Sequence, residues 1–562
     1  MRVKKHILPF LLILTLTAGV TLANYLWLAV NSKPPLDDEA IHLISAVKYL
    51  DILKHPSLDM VGRLLHVDIL YPPLFPFVAA LIAAVSGHVN TVAFVMTNAI
   101  FLAVTLFCMY FIGLKMKNKW SGILAGSLLM IYPLFFNLSR MFMIEIPLVC
   151  MVTLCITLLL YARNFKTRYT CLWAGVIFGL GLLTKQTFPL FIVGPAAFFF
   201  IEGFSGFKPK EENKIFNFVL FIIIGIGVAL PWYATDFQIK YAGALTSISD
   251  ASLVPYKLSV FSLTSFGYYL AMLVKEQLME SLALFFILAL MFFLHHKANV
   301  RLFIIWFVVP YVLLSFFPNK FCYYTLPYLP AVAFLTIGGL SMIETRFIRI
   351  LVFAFLFYVG IHQYIIFSYF SLGKLSPVAE GITYSPRLDD LMASKLVNRI
   401  IAETRGQSIT VGIQHFDGNE AARKGVVMGE AGILLNKHML QYAFDLKGLL
   451  AEVIDLRGRE RRHDGMFPEF IVYPCLLAND DNHSLSTEKY RLIDVFELWD
   501  LSKVYLYRFV GVSSVEVNAS INKDPYAAPR LPNEFDAEVL RRMSLALPPG
   551  NIIRRGLEAL KK

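Results

Sequence analysis

The sequence predicts an α-helical polytopic membrane protein of about eleven transmembrane helices, followed by a C-terminal extracytoplasmic α/β domain. Three observations predict it. The 562 residues are 57% hydrophobic and only 16% charged, where a soluble domain carries about 25% charged residues. The apolar residues fall in runs of roughly span length, separated by short basic loops. After about residue 369 those runs stop and short alternating segments bounded by turn residues take over.

The first run, 7–30, follows a basic start and has small residues before Asn24, which is also the form of a cleavable signal peptide. Its apolar character continues through "YLWLAV" to Val30, about 24 residues, and that length is enough to cross a bilayer. It is therefore read as the first transmembrane helix. The other runs are roughly 91–114, 120–138, 147–162, 170–184, 187–203, 215–231, 279–294, 302–317, 325–343 and 347–368. The run 74–86 is shorter and begins after two prolines, so it is either a twelfth crossing or an interfacial helix.

Charge decides between these. If 74–86 does not cross, the basic loops "KMKNK", "RNFKTR", "KPKEENK", "HHKANVR" and "ETRFIR" all fall on one side, which the positive-inside rule makes cytoplasmic. The N-terminus is then cytoplasmic too. Outside lie a first loop of about 31–90 with juxtamembrane helices, turns at 139–146 and at Lys185, a loop at about 232–278, and a turn at 318–324. The chain divides into a membrane domain, 1–368, and an outer domain, 369–562. In the latter, "SITVGIQHF" and "EFIVYP" read as strands and Tyr490–Phe509 as a hairpin. The end of the chain reads as a basic amphipathic tail.

The net charge of +11 resides in the loops between spans and does not indicate nucleic acid. The six cysteines form no C-x-x-C pair and indicate neither a disulfide framework nor a zinc site.

The chemistry concentrates on the outer side. Asp37, Asp38 and Glu39 stand together after the first span. Acids at a helix start can act simply as caps and dipole partners. Other outer charges argue for more: Glu145 sits in a nearly apolar run with Arg140 close by, and Lys185 and Lys320 each stand alone at span ends. A single such cation can snorkel to the interface. Several, on the side where short loops usually lack Lys and Arg, suit a lipid-linked phosphate. Cations stabilise the phosphate as it leaves, and one carboxylate accepts the proton of an attacking hydroxyl.

In this order the motifs "DDEA" (37–40), "YPPL" (71–74), Glu145, "GLGLLTK" (179–185) and "NKFCYYTLPYLP" (319–330) resemble the polytopic glycosyltransferases of the GT-C class. The resemblance is nearest to the dolichyl-phosphate-mannose–protein mannosyltransferase and lipid A aminoarabinose transferase branch, and it covers about residues 1–345. It implies Asp38 as catalytic base or acceptor-site carboxylate, with Glu39 beside it, and Glu145 where the family usually has Asp. It implies Lys185 and Lys320, with Arg140, as donor-phosphate cations. Asp37, His42, Tyr71, Tyr323 and Tyr324 are supporting candidates within the same motifs.

Where aminoarabinose transferases carry an Arg and a Lys, Ile41 and Tyr71 stand here, and His42, Lys48 or Arg140 are the replacements at hand. This departure counts against an aminoarabinose donor. The implied reaction is inverting transfer from a polyprenyl-phosphate sugar to an acceptor at the outer face of the cytoplasmic membrane. The family mostly works without an essential metal; a divalent ion at Asp38 and Glu145 is left open. The rival class, a transporter or flippase, calls for inverted repeats, and the sequence displays none.

Overall fold

The computed structural model describes residues 4–31, 35, 37–116, 118–204, 212–240, 261–296, 300–369, 393–404, 408–413, 437–447, 451–456, 468–475, 490–497 and 503–510. Each of the apolar runs is helical. In chain order the membrane part comprises α1 (Lys4–Val30), α2 (Asp37–Lys54), α3 (Met60–Leu65), α4 (Leu74–Ser86), α5 (Thr91–Val95), α6 (Asn98–Met116), α7 (Lys119–Met130), α8 (Pro133–Leu138) and α9 (Glu145–Tyr161). It continues with α10 (Arg168–Leu182), α11 (Phe188–Phe204), α12 (Glu212–Ala234), α13 (Leu263–Met272), α14 (Met279–His296), α15 (Arg301–Ser315), α16 (Leu329–Leu340) and α17 (Arg346–Tyr369). Among the described residues, four helical stretches are long and apolar enough to cross a membrane: His6–Val30, Thr91–Met116, Asn213–Ala234 and Arg346–Tyr369. A bent pair, Leu263–Gln277 with Met279–Phe293, makes a fifth if it is one span.

Two boundaries differ from the sequence reading. The run 120–138 is broken: α7 ends at Met130 and α8 restarts at Pro133. Pro133 lacks an N–H, and its ring holds Tyr132 in an extended conformation, φ −64° and ψ 128°, so one continuous helix is barred. The outer loop expected over 232–278 contains α13 and a π-helical turn, Leu273–Gln277, before a 117° bend into α14. Helix α4, at 13 residues, is shorter than the about 20 a crossing needs; it buries Phe75, Pro76, Ala79, Ala80 and Ala83 and packs on α2.

Small residues bring helices together where the site is built. A Cβ on Gly179 would lie 2.5 Å from Val228 Cβ and 2.6 Å from the Gly225 carbonyl oxygen, so α10 and α12 approach at a distance only glycine permits. The ring of Phe188 occupies the space a Cβ on Gly181 would take. The glycines of "GLGLLTK" thus serve packing and carry Lys185 to the end of α10.

The later residues form a five-stranded sheet, β1 (Ile409–Ile413), β2 (Ala451–Asp455), β3 (Phe470–Cys475), β4 (Tyr490–Glu497) and β5 (Lys503–Phe509), in the order β2-β1-β3-β5-β4. β1 is parallel to β2 and β3, and β5 runs antiparallel to β3 and β4. Strands β1, β3 and the β4–β5 pair occupy the segments that alternation marks as strands. Strand β2 escapes that reading, because "LLAEVI" follows a helical pattern closely. Helices α18 (Ala393–Thr404) and α19 (Lys437–Leu446) cover the sheet through Leu396, Val397, Ile400, Met439, Leu440 and Phe444. The amphipathic tail expected at the chain end lies outside the described residues.

Candidate active site

Helix α2 begins at Asp37, so Asp38 and Glu39 stand in its first turn. That position favours anions, but their described bonds go elsewhere. Asp38 Oδ1 accepts the hydroxyl hydrogen of Tyr71 at 2.7 Å, and Glu39 Oε1 accepts the backbone N–H of Phe142 at 2.8 Å. Both partners are distant in sequence, which local capping does not account for. The Asp37 side chain lies outside the described residues.

Tyr71 is placed by Asp68, a residue the sequence motifs do not single out. Asp68 Oδ1 accepts the backbone N–H groups of Leu70 and Tyr71, each at 2.9 Å, and its Oδ2 accepts Ser45 Oγ–H from α2 at 2.8 Å. An acid shortly before "YPPL" is a recognisable turn signal; its link back to α2 is not written locally. Burial and the neighbouring Asp38 carboxylate raise the Tyr71 phenol far above its usual pKa, so it remains a donor at neutral pH. His42, one turn along α2, is buried and meets the Tyr71 ring edge-on at 4.6 Å between centroids. Its Nδ1 has no hydrogen-bond partner. Burial lowers its pKa, the carboxylates of Asp38, Glu145 and Asp68 pull it up, and Lys185 pushes it down.

The "YPPL" segment rests on the turn after α10. Leu74 N–H donates to the Leu183 carbonyl at 2.9 Å, and Gln186 Nε2 donates to the Leu70 carbonyl at 3.1 Å. This sets Lys185 against the start of α9, where its Nζ lies 2.7 Å from Glu145 Oε1. The Glu145 side chain is 2% exposed and that of Lys185 17%. Glu145 Oε2 is buried without a hydrogen-bond partner. Lys185 Nζ also stands 4.9 Å from the ring centre of Tyr324 and 5.8 Å from that of Tyr323. Their loop is tied down by Gln277 from the π-helical turn, whose Nε2 donates to the Cys322 carbonyl and to Thr325 Oγ1, each at 2.7 Å. Nothing local in "LVKEQ" marks Gln277 for that task.

Asp38, Tyr71, His42, Glu145, Lys185, Tyr323 and Tyr324 thus form one cluster built from five separate stretches of chain. Two expected cations stand elsewhere. Lys320 Nζ donates to the carbonyls of Ser315 at 2.7 Å and Leu314 at 3.3 Å, at the C-terminus of α15. It lies 5.2 Å from the Tyr269 ring centre, and burial lowers its pKa to about 8. Arg140 Nε donates to Asn24 Oδ1 at 3.2 Å, and its guanidinium is surrounded by Trp27, Phe136 and Tyr364. Among the described residues no group of three or more His, Cys, Asp or Glu is arranged to hold a metal ion. Asp38 Oδ1 and Glu145 Oε1 are engaged by Tyr71 and Lys185.

Residues 71–232 match the family model of dolichyl-phosphate-mannose-protein mannosyltransferases. No curated protein gives a significant match. Among solved structures the chain is similar to ArnT from Cupriavidus metallidurans bound to undecaprenyl phosphate. The TM-score is 0.58 at 11% identity, over 89% of this chain and 98% of that one. The apo state of the same protein gives 0.55 at 10% identity, over 88% and 97%. The oligosaccharyltransferase AglB from Archaeoglobus fulgidus, in complex with an inhibitory peptide and a dolichol-phosphate, gives 0.49 at 9% identity, over 82% and 69%. The two ArnT likenesses establish the fold, and the family match covers the segment carrying Tyr71, Glu145 and Lys185. Residues 71–232 thus match the dolichyl-phosphate-mannose-protein mannosyltransferase family, and the chain as a whole shares the fold of ArnT.

Proposed function

We propose that this enzyme transfers a sugar, with inversion, from a polyprenyl-phosphate carrier to an acceptor hydroxyl at the outer face of the cytoplasmic membrane. The observation that carries the reading is the Tyr71–Asp38 hydrogen bond placed beside the Glu145–Lys185 pair. Asp38 takes the acceptor proton as the oxygen attacks the anomeric carbon. Tyr71 orients the carboxylate, so the proton is received in one direction. The bond from the anomeric carbon to the phosphate oxygen breaks, and its electron pair leaves on the phosphate. Lys185 stabilises that charge with the phenols of Tyr323 and Tyr324 alongside. A phosphate leaving group is a weak base and needs no general acid. Undecaprenyl phosphate bound to the similar ArnT supports a lipid-phosphate donor. Residues 4–30 then begin in the cytoplasm, and the sheet of 409–509 lies outside.

The test is a panel of synthetic polyprenyl-phosphate sugars, offered to purified protein in nanodiscs together with a cell-envelope extract as the source of acceptor hydroxyls, with enzyme-dependent release of polyprenyl phosphate as the readout. Release with at least one sugar, lost in Asp38→Asn, supports the proposal. No release across the panel overturns it.

A further inference from the structure

A buried cation outside the carboxylate cluster lacks its counter-charge. Arg140 is 1% exposed, and neither Nη1 nor Nη2 has a hydrogen-bond partner. Its Nε donates to Asn24 Oδ1, and its fork lies against the neutral Tyr364 hydroxyl. Asn24 is committed on its other side, donating Nδ2–H to Ser139 Oγ at 2.9 Å. No Asp or Glu lies within ion-pair distance of Arg140 among the described residues; its titratable neighbours are Tyr364 and Tyr369. The faces of Trp27, Phe136 and Tyr364, at 4.9 to 5.3 Å, offset part of the cost of burying the charge. They do not satisfy the N–H donors of the fork, and unmet buried donors are costly.

Two hydroxyls stand nearby. The Tyr364 hydroxyl adjoins the guanidinium. Ser368 Oγ, one turn further along α17, has no hydrogen-bond partner. A buried fixed positive charge flanked by neutral hydroxyl and amide groups, with no carboxylate in reach, is the complement of an anion. The flanking helices say where the anion comes from. In α1 and α17 only 11% of the apolar window is buried, so both present most of their surface to lipid. Trp27 and Tyr364 stand in the last two turns of these two helices, and aromatic residues at span ends favour the headgroup level.

We infer that Arg140, with Tyr364 and Ser368, forms a second anion site that takes the phosphate of an anionic lipid headgroup entering from the bilayer between α1 and α17. It is separate from the Glu145–Lys185 pair and does not rest on the transfer reaction. The phosphate belongs either to a resident phospholipid or to the polyprenyl-phosphate carrier held away from the cluster.

The test is titration of the purified full-length protein by native mass spectrometry in neutral detergent. The probes are phosphatidylglycerol and undecaprenyl phosphate, with zwitterionic phosphatidylcholine as control. Arg140→Met is expected to weaken binding of at least one anionic lipid by about tenfold or more. Tyr364→Phe, which keeps the ring and removes the donor, is expected to weaken the same lipid by a few-fold. Loss confined to phosphatidylglycerol assigns the site to a resident phospholipid, and loss confined to undecaprenyl phosphate assigns it to the carrier. Lys185→Met is included because the carrier also reaches the cluster. Carrier binding lost there but intact in Arg140→Met removes the carrier as the source. Wild-type affinity for both lipids in Arg140→Met overturns the inference. If Arg140→Met does not fold, the same result in Tyr364→Phe overturns it.

Discussion

Lys185 Nζ lies 2.7 Å from Glu145 Oε1, joining the start of α9 to the turn between α10 and α11. Both side chains are buried enough that removing one partner strands the other. Glu145→Gln or Lys185→Met alone is expected to cost on the order of 3 kcal/mol of stability. The double variant removes both charges and should recover most of that stability. On the proposed reaction, polyprenyl-phosphate release should remain low in all three, because the cation proposed beside the leaving phosphate is missing or misplaced. Thermal melts together with donor turnover check this. Recovery of turnover in the double variant would assign the pair a purely structural role.

Tyr71 donates its hydroxyl hydrogen to Asp38 at 2.7 Å. Asp38→Asn is expected to lower transfer by about 10²-fold or more at normal expression, and Tyr71→Phe by about tenfold. The two losses should not multiply in the double variant, since Tyr71 works through Asp38. Steady-state rates of the four proteins test this. Independent multiplication would separate Tyr71 from Asp38.

Asp445 of α19 supplies a pH dependence outside the membrane helices. Burial raises its pKa from 3.8 to about 6, opposed by the hydrogen bond from Gln441 and the charge of Lys48. The folded state then binds the extra proton between those values and the unfolded state does not. Stability therefore falls as pH rises from about 4 to about 6, with the full penalty above that range. Asp445→Asn should flatten the dependence. Amide exchange in α19 at pH 4.5 and pH 7 measures it, and an unchanged slope in Asp445→Asn would exclude Asp445 as its source.

Gly179 and Gly227 make a paired test of helix approach. A Cβ at Gly179 meets Val228 and the Gly225 carbonyl, whereas one at Gly227 meets nothing within 4 Å. Gly179→Ala should reduce folded yield and move the turn that carries Lys185. Gly227→Ala should leave the yield near wild type. Size-exclusion profiles of the two variants distinguish the cases.

Sidedness is open to chemical labelling. Lys115→Cys, at the exposed end of α6, should resist an impermeant thiol reagent in intact cells. Arg491→Cys, exposed on β4, should react. Cys108, Cys150, Cys155, Cys171 and Cys322 are buried, and Cys475 of β3 is replaced by Ser in the background used for labelling. Reaction of Lys115→Cys would reverse the orientation and remove the carboxylate cluster from the outer face.

The apolar runs determined which segments are helices, because any chain that buries its backbone in hydrocarbon must satisfy N–H and C=O within the segment. Alternation likewise marked β1, β3 and the β4–β5 hairpin, where every second residue faces a core. Residue type and order also picked out Asp38, Glu145, Lys185 and the tyrosines as candidates. The tertiary structure decided what each of them touches. Lys185, Lys320 and Arg140 look alike in the sequence, as lone cations at span ends. One pairs with Glu145, one turns back to carbonyls of α15, and one points among aromatic rings. Their long side chains take partners as near as 5 and as far as 116 residues along the chain, and helix packing sets which are within reach. Asp68 and Gln277 stayed hidden for the same reason: each acts by holding a tyrosine-bearing loop, and that contact exists only once the helices have assembled.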